Sequence, residues 1–501
     1  MPRPRTFPTA DGVVSSAIVD ENRLPGTASW RITGAPATGY IQGFANTTYA
    51  APGQDVNLYV STTAPSFHVV AYRMGWYGGL GARQIWVSPT VPGHVQPPCP
   101  VTPGVNMVSC DNWTLSLTVP ITSAFVQGDY LFKLVGAGNE QSYVLMTIWD
   151  PASTAAYLVM ARSLTEQGWN TYGGYSFYQG EGSCAPSYPP CNRARIVSFD
   201  RPYASGNGAS DFLTNEYPLV RLMEKHGLDV AYVTDITVDQ HPGILDNHRV
   251  LLSLGHDETW TYHEREAMVQ AFKRGMNVVF FGAAAVLRHA RLQASPLGPA
   301  QEEVDYRDSA EDPLDGVGNP DEVTGNTWAS PPTNWSEVPF IGQEYAGYTE
   351  PGVAPMPLEV TDPGAWIYKG TGLTAGSQVP GVILSDIDHL PPKGSFPNDI
   401  EVMAHSPLPV QSVYTNQGQW DSYTYSDLTY YTSPTSEAGV LDTGTVNWIY
   451  ALDPCAAAGS DCFSPDLVRM TLNILSVFGR GPVGLSHPSQ PNWQSVTPPG
   501  S

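Results

Sequence analysis

The sequence is poor in positive charge: 24 Lys and Arg stand against 47 Asp and Glu in 501 residues, a formal charge of −23. That balance excludes a nucleic-acid binder, which needs a basic footprint. No run approaches the ~20 consecutive apolar residues of a membrane span. The opening stretch, MPRPRTFPTADG, lacks the apolar core of a secretory signal. Either the numbering begins after processing or the protein stays inside the cell. No Cys-x-x-Cys occurs, and no cysteine pair has a histidine partner at zinc spacing. No Gly-x-Ser-x-Gly elbow surrounds a serine, and Ser253-Leu254-Gly255 is not one. The glycines of RMGWYGGLGAR (73–83) lack the Lys-Ser/Thr that would make a phosphate loop.

The six cysteines form three close pairs: Cys99 with Cys110, Cys184 with Cys191, and Cys455 with Cys462. Each pair brackets a short loop, as in CAPSYPPC, and reads as a local disulfide made in an oxidising compartment. An extracellular protein is therefore expected. Closing loops this short contributes at most ~2–3 kcal/mol each. The 48 glycines and 46 prolines add many turns.

The pattern of elements predicts α/β plus all-β architecture. Residues 1–25 read as a loose tail. Over 26–150 the signals are all β: VNLYVSTT, FHVVAYRM, TLSLTV and SYVLMTIW alternate with Gly/Pro turns, as in a β-sandwich. From 151 to 480 strands alternate with helices, which implies a parallel sheet. AYLVMA, ARIVSF, LDVAYVT, RVLLSLG and NVVFFGAAA are its strands. SDFLTNEYPLVRLMEKHG reads as a helix capped by Ser210 and stopped at Gly227. TYHEREAMVQAFKRG has Thr261 and Glu264 at capping-box spacing and stops at Gly275. SPDLVRMTLNILSVFG closes the domain as a helix. Regularity fades over about 291–378, where the Glu302–Glu322 stretch is read as a solvated acidic loop, with calcium as its candidate ligand. Residues 481–501 are a second loose tail.

In an open parallel sheet, ligands sit at the carboxyl ends of the strands. The run LLSLGHDETW (251–260) ends a strand with His256, Asp257 and Glu258. Asp200, Asp235, Asp386 and Asp388 end other strands, so several acidic groups reach one edge. This suits a metal or general acid/base site. The bland counterpart is that aspartates at strand ends cap helices and turns. NTYGGYSFYQG adds Tyr172, Tyr175 and Tyr178, which pack or line a binding wall unless a metal stabilises a phenolate.

Several segments together carry a resemblance. YRMGWYGGLGAR, VSFDRPY, LLSLGHDETW, YRDSAEDP, DIEVMAHSP, GTVNWIYALD and MTLNIL resemble, in this order, the large (β) subunit of N,N-dimethylformamidase over roughly residues 40–480. The resemblance implies a β-rich N-terminal module followed by a glutamine-amidotransferase-like α/β domain. It also implies a ferric ion, Fe(III), held by two tyrosines and a glutamate, with water activated to hydrolyse an amide. The glutamate matches Glu258 and the motif's histidine matches His256, a base or water-orienting group. One tyrosine matches Tyr175, with Tyr172 as the other choice, and a downstream acidic residue falls on Asp386. Where the second tyrosine belongs this chain has Phe199, and Tyr203 is the nearby substitute. Thr259 follows the glutamate in place of an aromatic residue, and Ala284 stands where an asparagine is expected. A carboxylate and phenolates are hard oxygen ligands that suit such a cation.

Two functions follow as expectations. One is a secreted metal-dependent hydrolase of a small-molecule C–N amide bond. The other is a non-catalytic extracellular binding or structural protein built on a degenerate formamidase-like domain, with an unknown surface ligand. The resemblance further implies an oligomer or a second, smaller subunit as a partner to look for.

Overall fold

The computed structural model describes residues 5–33, 39–180, 192–350, 352–391, 396–409, 412–415, 424–458 and 462–496. It has mixed α/β content, as expected. In its N-terminal part, Leu117–Pro120, Asp55–Thr62 and Ile41–Ala45 form one antiparallel sheet. A second is built mainly on Gln141–Ile148, Gly128–Gly136, Ser66–Met74 and Ala82–Val87. Alternate residues of each strand point inward, because side chains on a strand repeat every two residues. Val56, Leu58 and Val60 thus meet Val69, Ala71, Tyr130, Phe132, Val144 and Met146 in one core.

The larger sheet has seven strands, in the order Val230–Thr234, Tyr157–Ala161, Val250–Gly255, Asn277–Gly282, Gly439–Asp442, Thr424–Thr432 and Glu401–Leu408. The first five run parallel, and Thr424–Thr432 pairs antiparallel with Gly439–Asp442 on one side and Glu401–Leu408 on the other. Both faces are covered, which explains why these strands read as unbroken apolar runs. Tyr157, Val159, Val250 and Leu252 enter one core beside the Tyr217–Lys225 and Pro465–Phe478 helices. Leu158, Met160, Leu251 and Phe280 enter the other, under the Tyr262–Lys273 helix. That helix starts with the expected capping box of Thr261 and Glu264, and Gly275 follows it with φ +106°.

The chain enters this sheet at Tyr157–Ala161, moves to one neighbour and then crosses back to the other. A crevice therefore opens between the carboxyl ends of Tyr157–Ala161 and Val250–Gly255. Ligands collect at such a switch point.

RMGWYGG locks the two parts together. Arg73 pairs with Glu224 of the α/β part at 2.7 Å, both side chains fully buried. Tyr232 donates to the same carboxylate at 2.7 Å. The tight chain here uses Gly78 and Gly79 with positive φ.

Four expectations meet a different structure. Residues 6–8 pair with 13–15, and the helix Ser16–Asn22 buries Ile18 and Glu21, so the expected tail is docked. At the other end Asn492 Oδ1 accepts from Val402 N at 2.7 Å and Glu401 accepts from Gln490 N, which ties down residues past Gly481. The helix expected from Ser210 is broken at Glu216 (φ −132°), because Pro218 fits only in a helix's first turn. Asp211, at the N-cap position, makes no cap hydrogen bond; its carboxylate serves Arg162 and Asn215 instead. The acidic stretch is partly a strand, Gly298–Val304, and its carboxylates are not all solvated. Asp305 pairs with Arg307 and Asp312 with Arg291, because a buried carboxylate needs a cation. Cys99–Cys110 and Cys455–Cys462 are bonded. Cys184 and Cys191 lie outside the described residues.

Candidate active site

The strand Val250–Gly255 ends in a sharp turn. Gly255 has φ +61°, and a side chain there would meet the Arg162 guanidinium at 3.0 Å. Only glycine lets the backbone lie that close. The next turn is fixed by Thr165, whose hydroxyl accepts from Glu258 N at 2.9 Å and Thr259 N at 3.0 Å. His256 and Glu258 both sit on this turn. Asp257 points back inside, fully buried, accepting from Ser253 at 2.8 Å.

Glu258 sits in a cationic pocket. Arg288 Nε donates to Oε1 at 3.2 Å and the Trp169 indole donates to Oε2 at 3.1 Å. Burial alone would raise its pKa. Arg288 and Arg307, with the Tyr178 hydroxyl and His256, outweigh that and lower it. Tyr178 stacks on Trp169 with centroids 3.5 Å apart, and Arg307 lies over the tyrosine ring at 3.9 Å.

His256 Nε2 lies 3.4 Å from Asp211 Oδ2. Asp211 is held ionised: burial pushes it up, but Arg162 and the His256 hydrogen bond pull it well below its ordinary value. An ionised carboxylate only accepts, so Nε2 carries the hydrogen and Nδ1 the lone pair. Nδ1 is buried and has no hydrogen-bond partner.

Asp386 accepts from the Tyr345 hydroxyl at 3.0 Å. Burial pushes its carboxyl up to about 6, with His256 lowering and Glu258 raising it. Asp386 therefore lies near His256 and Glu258, which are 130 and 128 residues away in sequence. The backbone around them is strained: Ala284, Val286 and Ser385 have φ of 58°, 55° and 66°. Left-handed φ is rare for such residues, above all for branched Val286, and it clusters at functional sites. Ala284 N donates to Asp388 at 2.9 Å.

Other expected residues lie elsewhere. Asp235 accepts from Leu164 N and Ile236 N, both at 2.7 Å, as a cap. Burial pushes the Asp200 carboxyl up to about 7. The Tyr172 hydroxyl accepts from Gln42 of the N-terminal sheet. Tyr175 packs beside Phe177, and Arg201 donates to its carbonyl at 3.0 Å. Tyr203 lies near Glu166, and burial with that neighbour raises its phenol well above the ordinary value. Phe199 is buried against Leu164 and Ile236.

A ferric ion held by Glu258, Tyr175 and Tyr203 would need three oxygens at one point. Both Glu258 oxygens are engaged, two guanidinium groups surround it, and neither of these tyrosine hydroxyls hydrogen-bonds to it. As arranged, the side chains do not fit that ion. Among the described residues, no three His, Cys, Asp or Glu side chains are placed to hold a metal.

Comparison with known proteins places the chain. The family model described as N,N-dimethylformamidase beta subunit-like, C-terminal, matches residues 68–462, well over half of the sequence. The chain belongs to this family. No curated protein matches it. A solved cycloisomaltooligosaccharide glucanotransferase of Paenibacillus sp., complexed with cycloisomaltoheptaose, is similar at 9% identity with a TM-score of 0.15. That match covers 38% of this chain and 27% of the other, too slight a likeness to carry an argument.

Residues that the sequence did not single out surround His256 and Glu258 here: Arg162, Asp211, Trp169 and Arg288. The signal available was Arg162, a charge directly after the first strand at the switch point.

Proposed function

We propose that the protein is an extracellular hydrolase of small-molecule amide C–N bonds, working at the carboxyl edge of a glutamine-amidotransferase-like sheet. Family membership supports the reaction class, and the two disulfides support the location. The observation that carries the site is the convergence of His256, Glu258 and Asp386 on one strained edge.

His256, oriented by Asp211, takes a proton from water at Nδ1 as the water oxygen attacks the amide carbonyl. Asp386, with a pKa of about 6, is poised to give a proton to the departing nitrogen. The C–O bond forms, the C–N bond breaks, and an acid and an amine leave. Glu258, anionic and held by Arg288 and Trp169, acts as a fixed negative charge beside His256.

Hydrolysis of a panel of formamides and acetamides tests the reading. His256→Ala should lower kcat/KM at least a hundredfold, and Asp386→Asn at least tenfold with loss of the fall in rate as pH rises through about 6. No turnover of any amide by the native protein would favour the non-catalytic binding protein. Iron content, measured beside Glu258→Ala, is the companion experiment. Stoichiometric iron that disappears in the variant would replace the role given to Glu258.

A further inference from the structure

Between the end of the Tyr157–Ala161 strand and the facing N-terminal sheet lies a cavity of about 60 Å³, lined by Arg162, Glu166, Glu216, Asp129, Tyr203 and Phe199 among others. At roughly 10–15 Å³ per water, it has room for a handful of waters or one small molecule. Arg162 is fully buried and Glu166 is 5% exposed. Even so, Arg162 Nη1 and Glu166 Oε1 make no hydrogen bond. The nearest approach of Glu166 to Arg162 is Oε1 to Nη2 at 3.6 Å, and Nη2 is already held by Asp211 at 2.5 Å. A spare donor and a spare acceptor thus belong to two residues that line one cavity, and unmade hydrogen bonds of buried groups are costly.

The chemistry of the walls selects the ligand. Burial and the neighbouring carboxylates raise Glu166 well above its ordinary value, and burial takes Glu216 up to about 8. Near neutral pH the ionised Asp211 then balances Arg162, and the other charged side chains of the lining are Arg201, whose guanidinium is spent on backbone carbonyls, and Asp129, which burial takes up to about 7. No three acidic or histidine side chains here converge as metal ligands among the described residues. A neutral molecule with a carbonyl at one end and N–H groups at the other matches both spare groups.

We propose that this cavity binds a small uncharged amide or urea, its carbonyl oxygen accepting from Arg162 and its N–H groups donating to Glu166. Asp211 bridges the pocket to His256, with one oxygen on Arg162 and the other 3.4 Å from the imidazole. That the bound molecule is the substrate rests on the amide-hydrolase reading; that it binds does not.

The test titrates the full chain with acetamide and with urea, followed by calorimetry and ligand-observed NMR. N,N-dimethylacetamide, which lacks N–H, and methylammonium chloride are the comparison probes. Saturable binding of acetamide and urea is expected, at least tenfold weaker for the dimethyl compound and in Glu166→Ala. The comparison between probes needs no variant, so the result stands even if Glu166→Ala fails to fold. No saturable binding of either probe, leaving ordered water only, overturns the proposal. So does equal binding of the dimethyl compound, or tighter binding of methylammonium. If acetamide binds but no amide is hydrolysed, the hydrolase reading fails and the pocket stands. If amides are hydrolysed while neither probe saturates, the pocket alone falls.

Discussion

Two buried ion clusters flank the turn after Val250–Gly255, and they are built in opposite proportions. Around Glu258 one carboxylate faces two guanidinium groups, Arg288 and Arg307. Around Arg162 one guanidinium faces three carboxylates, Glu166, Asp211 and Glu216. In the first, the cations overcome desolvation and the carboxylate stays charged. In the second, one cation can hold only one carboxylate ionised, and Asp211 wins it with a 2.5 Å contact. The remaining two are driven toward their neutral, proton-bearing forms. Like residues in like burial thus take different protonation states because the local charge count differs.

Breaking the second cluster should have the largest effect. Arg162→Met strands Asp211 beside two further carboxyls, and should destabilise the protein by about 3–5 kcal/mol in chemical denaturation. An unchanged midpoint would mean that the three carboxyls hold together by shared protons alone. Glu258→Gln keeps the shape but removes the carboxylate charge that Arg288 Nε faces at 3.2 Å. A smaller loss, on the order of 1–3 kcal/mol, is expected from the same measurement. A loss as large as that of Arg162→Met would erase the contrast between the clusters.

The pH dependence sharpens the comparison further. Glu216 has a folded pKa raised to about 8, mainly by burial. Its stabilising contribution is full below the ordinary carboxyl pKa and is lost as pH rises toward 8. Glu258 has a lowered pKa, so its contribution is present above the ordinary value and is lost as pH falls. Thermal unfolding should therefore give a higher Tm at pH 5 than at pH 8, with a flatter slope in Glu216→Gln. A Tm that rises steadily to pH 8 would contradict the assignment of bound protons to the Arg162 cluster.

Much of the scaffold was legible beforehand. Alternation in the N-terminal strands, the apolar runs of the parallel sheet, and the Thr261/Glu264 box are local patterns set by period and capping chemistry. The docked ends were not legible, since Glu21 and Asn492 find partners only across the fold. The helix break at Glu216 was visible in Pro218, but the continuous apolar pattern masked it. At the site, His256 and Glu258 stood out because ionisable groups at a strand's end are conspicuous. Asp211 was hidden, since an aspartate before a helix reads as a cap.

By itself, then, the sequence determined the main runs of the N-terminal strands and of the parallel sheet, the family, and the strand end that carries His256 and Glu258. Only the tertiary structure decided which ionisable groups carry charge. It surrounded Glu258 with two arginines, left Arg162 outnumbered, and set Tyr178 rather than Tyr175 against the glutamate. The physical reason is that periodicity and capping are properties of neighbours along the chain. Charge state depends instead on burial and on partners tens to hundreds of residues away.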